Sequence, residues 1–106
     1  MAFLSARVGS IGDNRLGGWI SYRASKAALN QIVRTAAIEI ARSRPLSVVL
    51  ALHPGTVATG LSADYGAGRD RFVPAESAAK LLAVINAADP EQTGSFLAYD
   101  GSRIEW

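Results

Sequence analysis

Residues 46 to 52 read Leu46-Ser47-Val48-Val49-Leu50-Ala51-Leu52, and this stretch decides the fold. It is nearly unbroken in apolar character and contains a valine pair, which is the pattern of a strand covered on both faces. Such strands are typical of parallel sheets, whose ligands bind beyond the carboxyl ends of the strands. The stretch ends at His53-Pro54-Gly55, so we expect the chemistry to lie in the loop from His53 to about Phe72.

A long helix is predicted before this strand, from about residue 21 to residue 43. Its apolar residues recur at three- and four-residue spacings, as they do on one face of a helix. The expected buried stripe is Ala28, Leu29, Ile32, Val33, Ala36 and Ile40, with Arg23, Asn30 and Arg34 elsewhere on the helix. Pro45 marks the end of the helix.

The remaining elements are predicted from similar local patterns. Residues 2 to 6 indicate the end of a short strand, and residues 9 to 18 indicate a glycine-rich loop. Pro74 begins a second helix, which ends near residue 89 and whose expected buried stripe is Ala78, Ala79, Leu81, Leu82 and Ile85. A last strand, residues 95 to 99, ends in the turn Asp100-Gly101. This order predicts one α/β domain over residues 1 to 106, with right-handed crossovers.

The composition of the chain excludes several classes of protein. The 106 residues include no cysteine and one histidine, which excludes disulfides and thiolate sites and leaves no second histidine for a metal site. No apolar run is long enough for a signal peptide or a membrane span. The basic residues are not interleaved with aromatic ones, as nucleic-acid binding would require. We therefore expect a cytoplasmic protein with no metal, membrane or nucleic-acid partner.

Tyr22 and Lys26 are the candidate catalytic pair. They stand four residues apart at the start of the long helix, so they share one face one turn apart. A tyrosine pKa is about 10, and proton transfer near neutral pH requires it to fall by roughly 3 units, or about 4 kcal/mol. A neighbouring ammonium in a partly dehydrated cleft favours the phenolate in this way. The alternative is a surface tyrosine beside a solvated lysine.

Two segments resemble the short-chain dehydrogenase/reductase family. Tyr22-Arg23-Ala24-Ser25-Lys26-Ala27-Ala28 is similar to its Y-x-[AS]-S-K-[AS]-[AG] signature, and His53-Pro54-Gly55-Thr56-Val57-Ala58-Thr59 is similar to its N-P-G-x-[VI]-x-T segment. The loop after residue 9 and the last seven residues resemble the C-factor-like or sniffer-like carbonyl reductase branch. The resemblance implies the carboxyl-terminal half of a Rossmann-like doubly wound parallel sheet, with about three strands and two main helices.

The resemblance also implies hydride transfer between NAD or NADP and a small carbonyl or alcohol substrate. Tyr22 would be the acid/base and would also be one of the cofactor-binding residues. Lys26 would lower its pKa and hydrogen-bond the nicotinamide ribose, while Pro54-Gly55 shapes the turn. Val57 and Thr59 would hold the nicotinamide carboxamide.

Two further expectations follow from the same resemblance. Tyr65 and Phe72 lie where the family has its substrate lid, although a plain solvent loop remains an alternative. A homo-oligomer would form through the long helix, residues 21 to 43. His53 stands where the family has asparagine, and we interpret it as a hydrogen-bonded structural residue.

The chain departs from the family at the serine that normally starts an S-x-x-G segment. Aligning on Gly9 puts Ala6 at that position, with Ser5 before it and Ser10 after the glycine. Either Ser5 or the alternative Ser10 reaches the site, or the substrate oxygen has lost one donor, at a cost of about 3 kcal/mol.

These 106 residues contain neither a G-x-G-x-x-G nor a G-x-x-x-x-G-K-[ST] phosphate loop. Two hypotheses therefore remain open. One is an oxidoreductase represented by a truncated or partial sequence, and the other is a non-enzymatic remnant with a binding or signalling role. The coding sequence upstream of Met1 would discriminate between them.

Overall fold

The computed structural model describes residues 1–55 and 74–106. Strands and helices alternate along this part of the chain, with two 3-10 turns, Arg7–Gly9 and Pro90–Gln92, between them. The elements are β1 (Ala2–Leu4), α1 (Ile20–Ser43), β2 (Leu50–His53), α2 (Pro74–Ala87) and β3 (Phe96–Ala98). The predicted order of strands and helices is confirmed.

The three strands form one parallel sheet in the order β1-β2-β3. Ala51 of β2 pairs with Phe3 on one side and with Phe96 on the other, which makes β2 the central strand. The α/β class and the parallel sheet are therefore as the sequence predicts. Ala51 and Leu52 are almost wholly buried, as a strand covered on both faces requires.

The two helices pack on opposite faces of the sheet. Val33 and Ala37 of α1 lie against the face formed by Ala51 and its neighbours in the strands. Leu81 and Val84 of α2 lie against the other face, where Leu50, Leu52 and Leu97 project. Burying both faces stabilises the sheet in proportion to the apolar area removed from water, about 25 cal/mol per Å².

This arrangement corrects one expectation about the crossovers. The chain moves across the sheet in one direction, from β1 to β2 to β3, yet its two helices cover opposite faces. The two crossovers therefore have opposite hands, and the expectation that both are right-handed is wrong. Among the described residues, α1 covers one face of the sheet and α2 buries the apolar side chains of the other face.

The two outer strands are shorter than expected, and the central one begins later. β1 ends at Leu4 because the backbone turns into the 3-10 segment Arg7–Gly9. The predicted strand 46 to 52 begins at Leu50, since the amide of Ser47 closes a turn on the Arg44 carbonyl. Leu46 lies on that turn and is 83% exposed.

The buried stripe of each helix differs from the expected one. In α1, Asn30 is buried, whereas Ile32 is 65% exposed. In α2, Ser77 is buried and Leu82 is exposed. The apolar residues of both helices occupy more than one face, so their spacing does not specify which face meets the sheet.

The outer edge of β3 is covered by the end of the chain. The amide of Ala98 donates to the Ser102 carbonyl, and the amide of Ile104 donates to the Phe96 carbonyl, both at 2.8 Å. The turn at Asp100-Gly101 that reverses the chain is where the sequence predicts it. Within residues 1–55 and 74–106, no strand pairs with the outer edge of β1.

The stability of the Asp100 turn is expected to depend on pH. Its carboxylate accepts hydrogen bonds from the amide and hydroxyl of Ser102, and these bonds hold the pKa of Asp100 below its usual value of 3.8. The stabilising contribution is therefore present above that value and is lost as the pH falls through the pKa of the folded state. We expect Asp100→Ala to speed amide exchange of Ile104 severalfold at neutral pH, with Glu39→Gln as the exposed control. Equal exchange in both variants would contradict it.

Candidate functional site

Tyr22 and Lys26 lie together in the first two turns of α1. Both side chains are half-buried, and the Lys26 Nζ lies 5.8 Å from the centre of the Tyr22 ring. The same ammonium donates to the Leu4 carbonyl at 3.4 Å. Because Leu4 is the last residue of β1, this contact places Lys26 at the carboxyl edge of the sheet.

Gly9 permits a close contact between the first 3-10 turn and α1. A Cβ atom at Gly9 would lie 2.8 Å from the Lys26 Cβ and 2.9 Å from the Lys26 carbonyl carbon. No side chain fits there unless the helix moves, because one of these atoms is helix backbone and the other is the Cβ atom attached directly to it. The absence of a side chain at Gly9 therefore lets the turn support Lys26.

The Ser5 hydroxyl forms a hydrogen bond with Asn30. Ser5 Oγ donates to Asn30 Oδ1 at 2.6 Å, and both residues are buried. The Asn30 Nδ2 group is also buried and has no hydrogen-bond partner among the described residues. Together with the Lys26 contact, this bond ties α1 to the end of β1 at two points one helical turn apart.

Ser10 contacts the end of the chain. Its hydroxyl donates to the carbonyl of Glu105 and lies 3.4 Å from that of Trp106, and it accepts from the Asp13 amide at 3.0 Å. Neither Ser5 nor Ser10 forms a hydrogen bond with Tyr22 or Lys26.

His53 closes β2 at the same edge of the sheet as Lys26. Its Nδ1 accepts from the Arg7 amide at 3.1 Å, which is the behaviour expected of a structural histidine. Pro54 accepts at its carbonyl from the buried Ser77 hydroxyl, and Gly55 has a φ of 78°. This left-handed conformation at Gly55 favours glycine.

The other predicted site residues lie in the segment 56–73, outside the described residues. They are the proposed carboxamide contacts Val57 and Thr59 and the proposed lid residues Tyr65 and Phe72.

Arg23 is a site residue that the sequence analysis missed. Its guanidinium donates to three backbone carbonyls: Gly18 at 2.8 Å, Gly17 at 3.1 Å and Val8 at 3.3 Å. It thereby holds the glycine loop against the first turn of α1, where Trp19 has a left-handed φ of 54°. The available signal was an arginine five residues beyond Gly18, within reach of loop carbonyls that need a hydrogen-bond donor.

Asn30 was also missed, because the helical pattern places it outside the apolar stripe. A polar residue one turn beyond Lys26, on the same helix face, was the available signal.

The described residues provide neither a membrane-spanning helix nor a cluster of metal ligands. None of their helices is long and apolar enough to cross a bilayer. Over the same residues, no group of three or more histidine, cysteine, aspartate or glutamate side chains is placed to hold a metal ion.

Comparison with curated proteins identifies relatives over the whole chain. No family model matches it. It is 39% identical over 106 residues to 1-hydroxy-2-glutathionyl-2-methyl-3-butene dehydrogenase of Rhodococcus sp. strain AD45, covering all of this chain and 46% of that protein. It is 40% identical to C-signal of Myxococcus xanthus over 108 residues, covering all of this chain and 60% of that protein. The chain thus spans about half the length of the curated relatives it matches.

Comparison with solved structures also identifies relatives over nearly the whole chain. Carbonyl reductase Sniffer of D. melanogaster superposes with a TM-score of 0.84 at 32% identity, over 99% of this chain and 41% of that one. The NADPH-bound carbonyl reductase from chicken fatty liver gives 0.84 at 34% identity, over 99% and 42%. With the parallel sheet and the Tyr22–Lys26 pair, these likenesses show that the chain belongs to the short-chain dehydrogenase/reductase family, in its C-factor-like and sniffer-like branch, and resembles the carboxyl-terminal half of its members.

Proposed function

We propose that this chain forms the catalytic half of an NAD- or NADP-dependent oxidoreductase that reduces a small carbonyl compound or oxidises the corresponding alcohol. The observation that supports this most directly is the Lys26 ammonium, 5.8 Å from the Tyr22 ring and anchored at the carboxyl edge of a parallel sheet. This edge is where ligands bind in open α/β folds. One of the solved relatives, the carbonyl reductase from chicken fatty liver, is bound to NADPH.

The described residues fit the nicotinamide end of such a cofactor. The Lys26 ammonium is a cationic donor suited to ribose hydroxyls, and Gly55 gives the backbone after β2 its close turn at the same edge. The dinucleotide, when bound, supplies the hydride. Pro54 and Gly55 would shape its pocket, and Val57 and Thr59 would hold its carboxamide.

Tyr22 would transfer the proton. In reduction its hydroxyl donates to the carbonyl oxygen of the substrate as that oxygen gains negative charge, and in oxidation it takes the proton back. Lys26 favours the phenolate because a nearby positive charge stabilises the negative form of a tyrosine. Gly9 and the Ser5–Asn30 bond would keep Lys26 in place for this role.

A second candidate function is a non-enzymatic binding or signalling role. It is supported by the 40% identity to C-signal, of which this chain covers 60%. The outer face of α1 supports it too, since Ile32 and Ile38 are exposed there. An exposed apolar face suits association of two copies through α1, and this would hold for either candidate function. Both functions would be performed in the cytoplasm.

We predict that the 106-residue chain alone binds NADPH weakly, with a Kd above about 1 mM, because these residues contain no G-x-G-x-x-G loop for the pyrophosphate. Nucleotide fluorescence titration measures this. The same titration on a fusion with the amino-terminal half of a carbonyl reductase is the matched control, and there we expect micromolar binding. Micromolar affinity of the chain alone would contradict the prediction.

The same fusion tests the proposed function. Consumption of NADPH in the presence of an aldehyde supports the oxidoreductase. A fusion that binds NADPH tightly but leaves aldehydes unreduced would favour the binding role.

A further inference from the structure

A second cavity lies away from the proposed catalytic pair, between α1 and the carboxyl-terminal segment, residues 102–106. Its volume is about 280 Å³. Two of its lining residues are arginines, Arg34 from α1 and Arg103 from the segment, and one wall is the indole of Trp106. Arg34 stands eight residues beyond Lys26, or about 12 Å along the helix, so this cavity is not part of the proposed active site.

The two guanidinium groups are anchored on two consecutive residues of the cavity wall. Arg34 Nη1 donates to the Gly94 carbonyl at 3.3 Å, and Arg103 Nη2 donates to the Ser95 hydroxyl at 2.9 Å. Gly94 and Ser95 are consecutive, so the two acceptors are about one residue apart.

Gly94 lies in this site with a φ of 77°, a backbone conformation that favours glycine. A Cβ atom there would lie 2.8 Å from Arg34 Nη1. The Arg34 guanidinium therefore lies against the backbone of this turn.

Among the described residues, no acidic side chain forms an ion pair with Arg34 or Arg103. Over residues 1–55 and 74–106 the one ion pair joins Arg7 to Asp13, and neither Arg34 nor Arg103 is bonded to a carboxylate. Each guanidinium uses one nitrogen on a neutral acceptor, which leaves further N–H donors. A bound anion would interact favourably with both positive charges.

The Trp106 ring indicates that a ligand of this cavity contains an apolar group as well as an anionic one. The Trp106 ring stacks on Phe96, with the ring centres 5.5 Å apart and the planes at 23°. Trp106 is 37% exposed, so one part of its surface is accessible beside the two arginines. A flat apolar group would pack against such a surface.

We propose that Arg34 and Arg103 bind a small organic anion, a carboxylate or a phosphate ester on a planar apolar group, in this cavity. Guanidinium groups bind both kinds of anion through paired hydrogen bonds. The volume lies at the lower end of the range for small-molecule sites, so the ligand is no larger than a single ring with its anionic group.

The test is an NMR titration of the ¹⁵N-labelled chain with phenyl phosphate and, separately, with benzoate. We expect saturable shifts of the Trp106 indole and of the Arg34 and Arg103 Nε–H signals, with a Kd of about 1 mM or below for at least one of the two anions. The tighter of the two identifies the anion. Inorganic phosphate and benzyl alcohol, which carry only one half of the ligand each, should bind at least about fivefold more weakly.

Variants distinguish a built site from general attraction of anions. Arg34→Gln and Arg103→Gln should each weaken binding about tenfold or more, whereas Arg42→Gln, an exposed arginine on the same helix, should change it less than about twofold. If Arg34→Gln fails to fold, Arg34→Lys keeps the charge but loses the paired geometry, and it should still weaken binding severalfold. Shifts that do not saturate by about 10 mM, benzyl alcohol binding as well as the anions, or an equal effect of Arg42→Gln would overturn the proposal.

Discussion

Replacing Tyr22 with phenylalanine should lower kcat for carbonyl reduction about 10³-fold in the fusion that restores nucleotide binding. Phenylalanine keeps the ring on α1 and removes only the hydroxyl that would donate the proton, and general acid catalysis contributes about 10² to 10⁴ to such rates. NADPH oxidation with a saturating aldehyde gives kcat. Affinity for NADPH should fall far less than kcat, because Lys26, Pro54 and Gly55 of the proposed cofactor-binding residues are unchanged.

Tyr99→Phe is the matched control for this variant. Tyr99 is half-buried just after β3, and its ring lies 6.3 Å from the His53 ring, so the substitution removes a phenol from the same end of the sheet. We expect it to keep kcat within about threefold of the parent value. A Tyr22→Phe enzyme as active as the Tyr99→Phe enzyme would show that Tyr22 is not the acid/base.

Lys26→Met adds a pH readout that a purely structural role would not change. Loss of the ammonium removes the charge that favours the phenolate, so the acid/base group in the pH profile of kcat should titrate at higher pH. An unchanged profile with reduced kcat would assign Lys26 a positioning role only.

The second large effect is expected at Gly9. In Gly9→Ala the new Cβ would lie 2.8 Å from the Lys26 Cβ, 2.9 Å from the Lys26 carbonyl carbon and 3.1 Å from the Ala27 amide nitrogen. These are mainly helix backbone atoms, so relief requires α1 to move away from the 3-10 turn. We expect a loss of about 1 to 3 kcal/mol in the free energy of unfolding, measured by urea denaturation.

Gly12→Ala is the control for Gly9→Ala. Its Cβ would also meet other atoms, but these belong to the Glu105 side chain, which is flexible and exposed. That side chain can rotate away, so the expected cost is below about 0.5 kcal/mol. Equal destabilisation by the two substitutions would mean that the contact between Gly9 and α1 does not constrain the helix.

Much of the fold was predictable because it depends on local patterns. The apolar run through Leu50 and Leu52 specifies a strand buried on both faces, and Pro45 and Pro74 delimit the helices on either side of it. The pairing of Tyr22 with Lys26 follows from helical geometry alone, since residues four apart share a face. These features need no knowledge of what packs against them.

Other features of the site were not predictable because they depend on distant parts of the chain. Ser5 and Asn30 are 25 residues apart, and their hydrogen bond exists only because α1 packs against the end of β1. The sequence pattern placed Ile32 in the core and Asn30 outside it, and the structure reverses both positions. The face of a helix that is buried depends on which neighbour it meets, and the spacing of apolar residues leaves that choice open.

The sequence by itself therefore determined the order of strands and helices, the parallel α/β class and the position of Tyr22 and Lys26 on one helical face. Only the tertiary structure decided the buried faces of both helices, the opposite hands of the two crossovers and the contact of Gly9 with Lys26. The physical reason is the range of the interactions. Hydrogen bonds and side-chain spacing within a helix or strand are local, whereas burial is decided by the elements that the whole fold brings together.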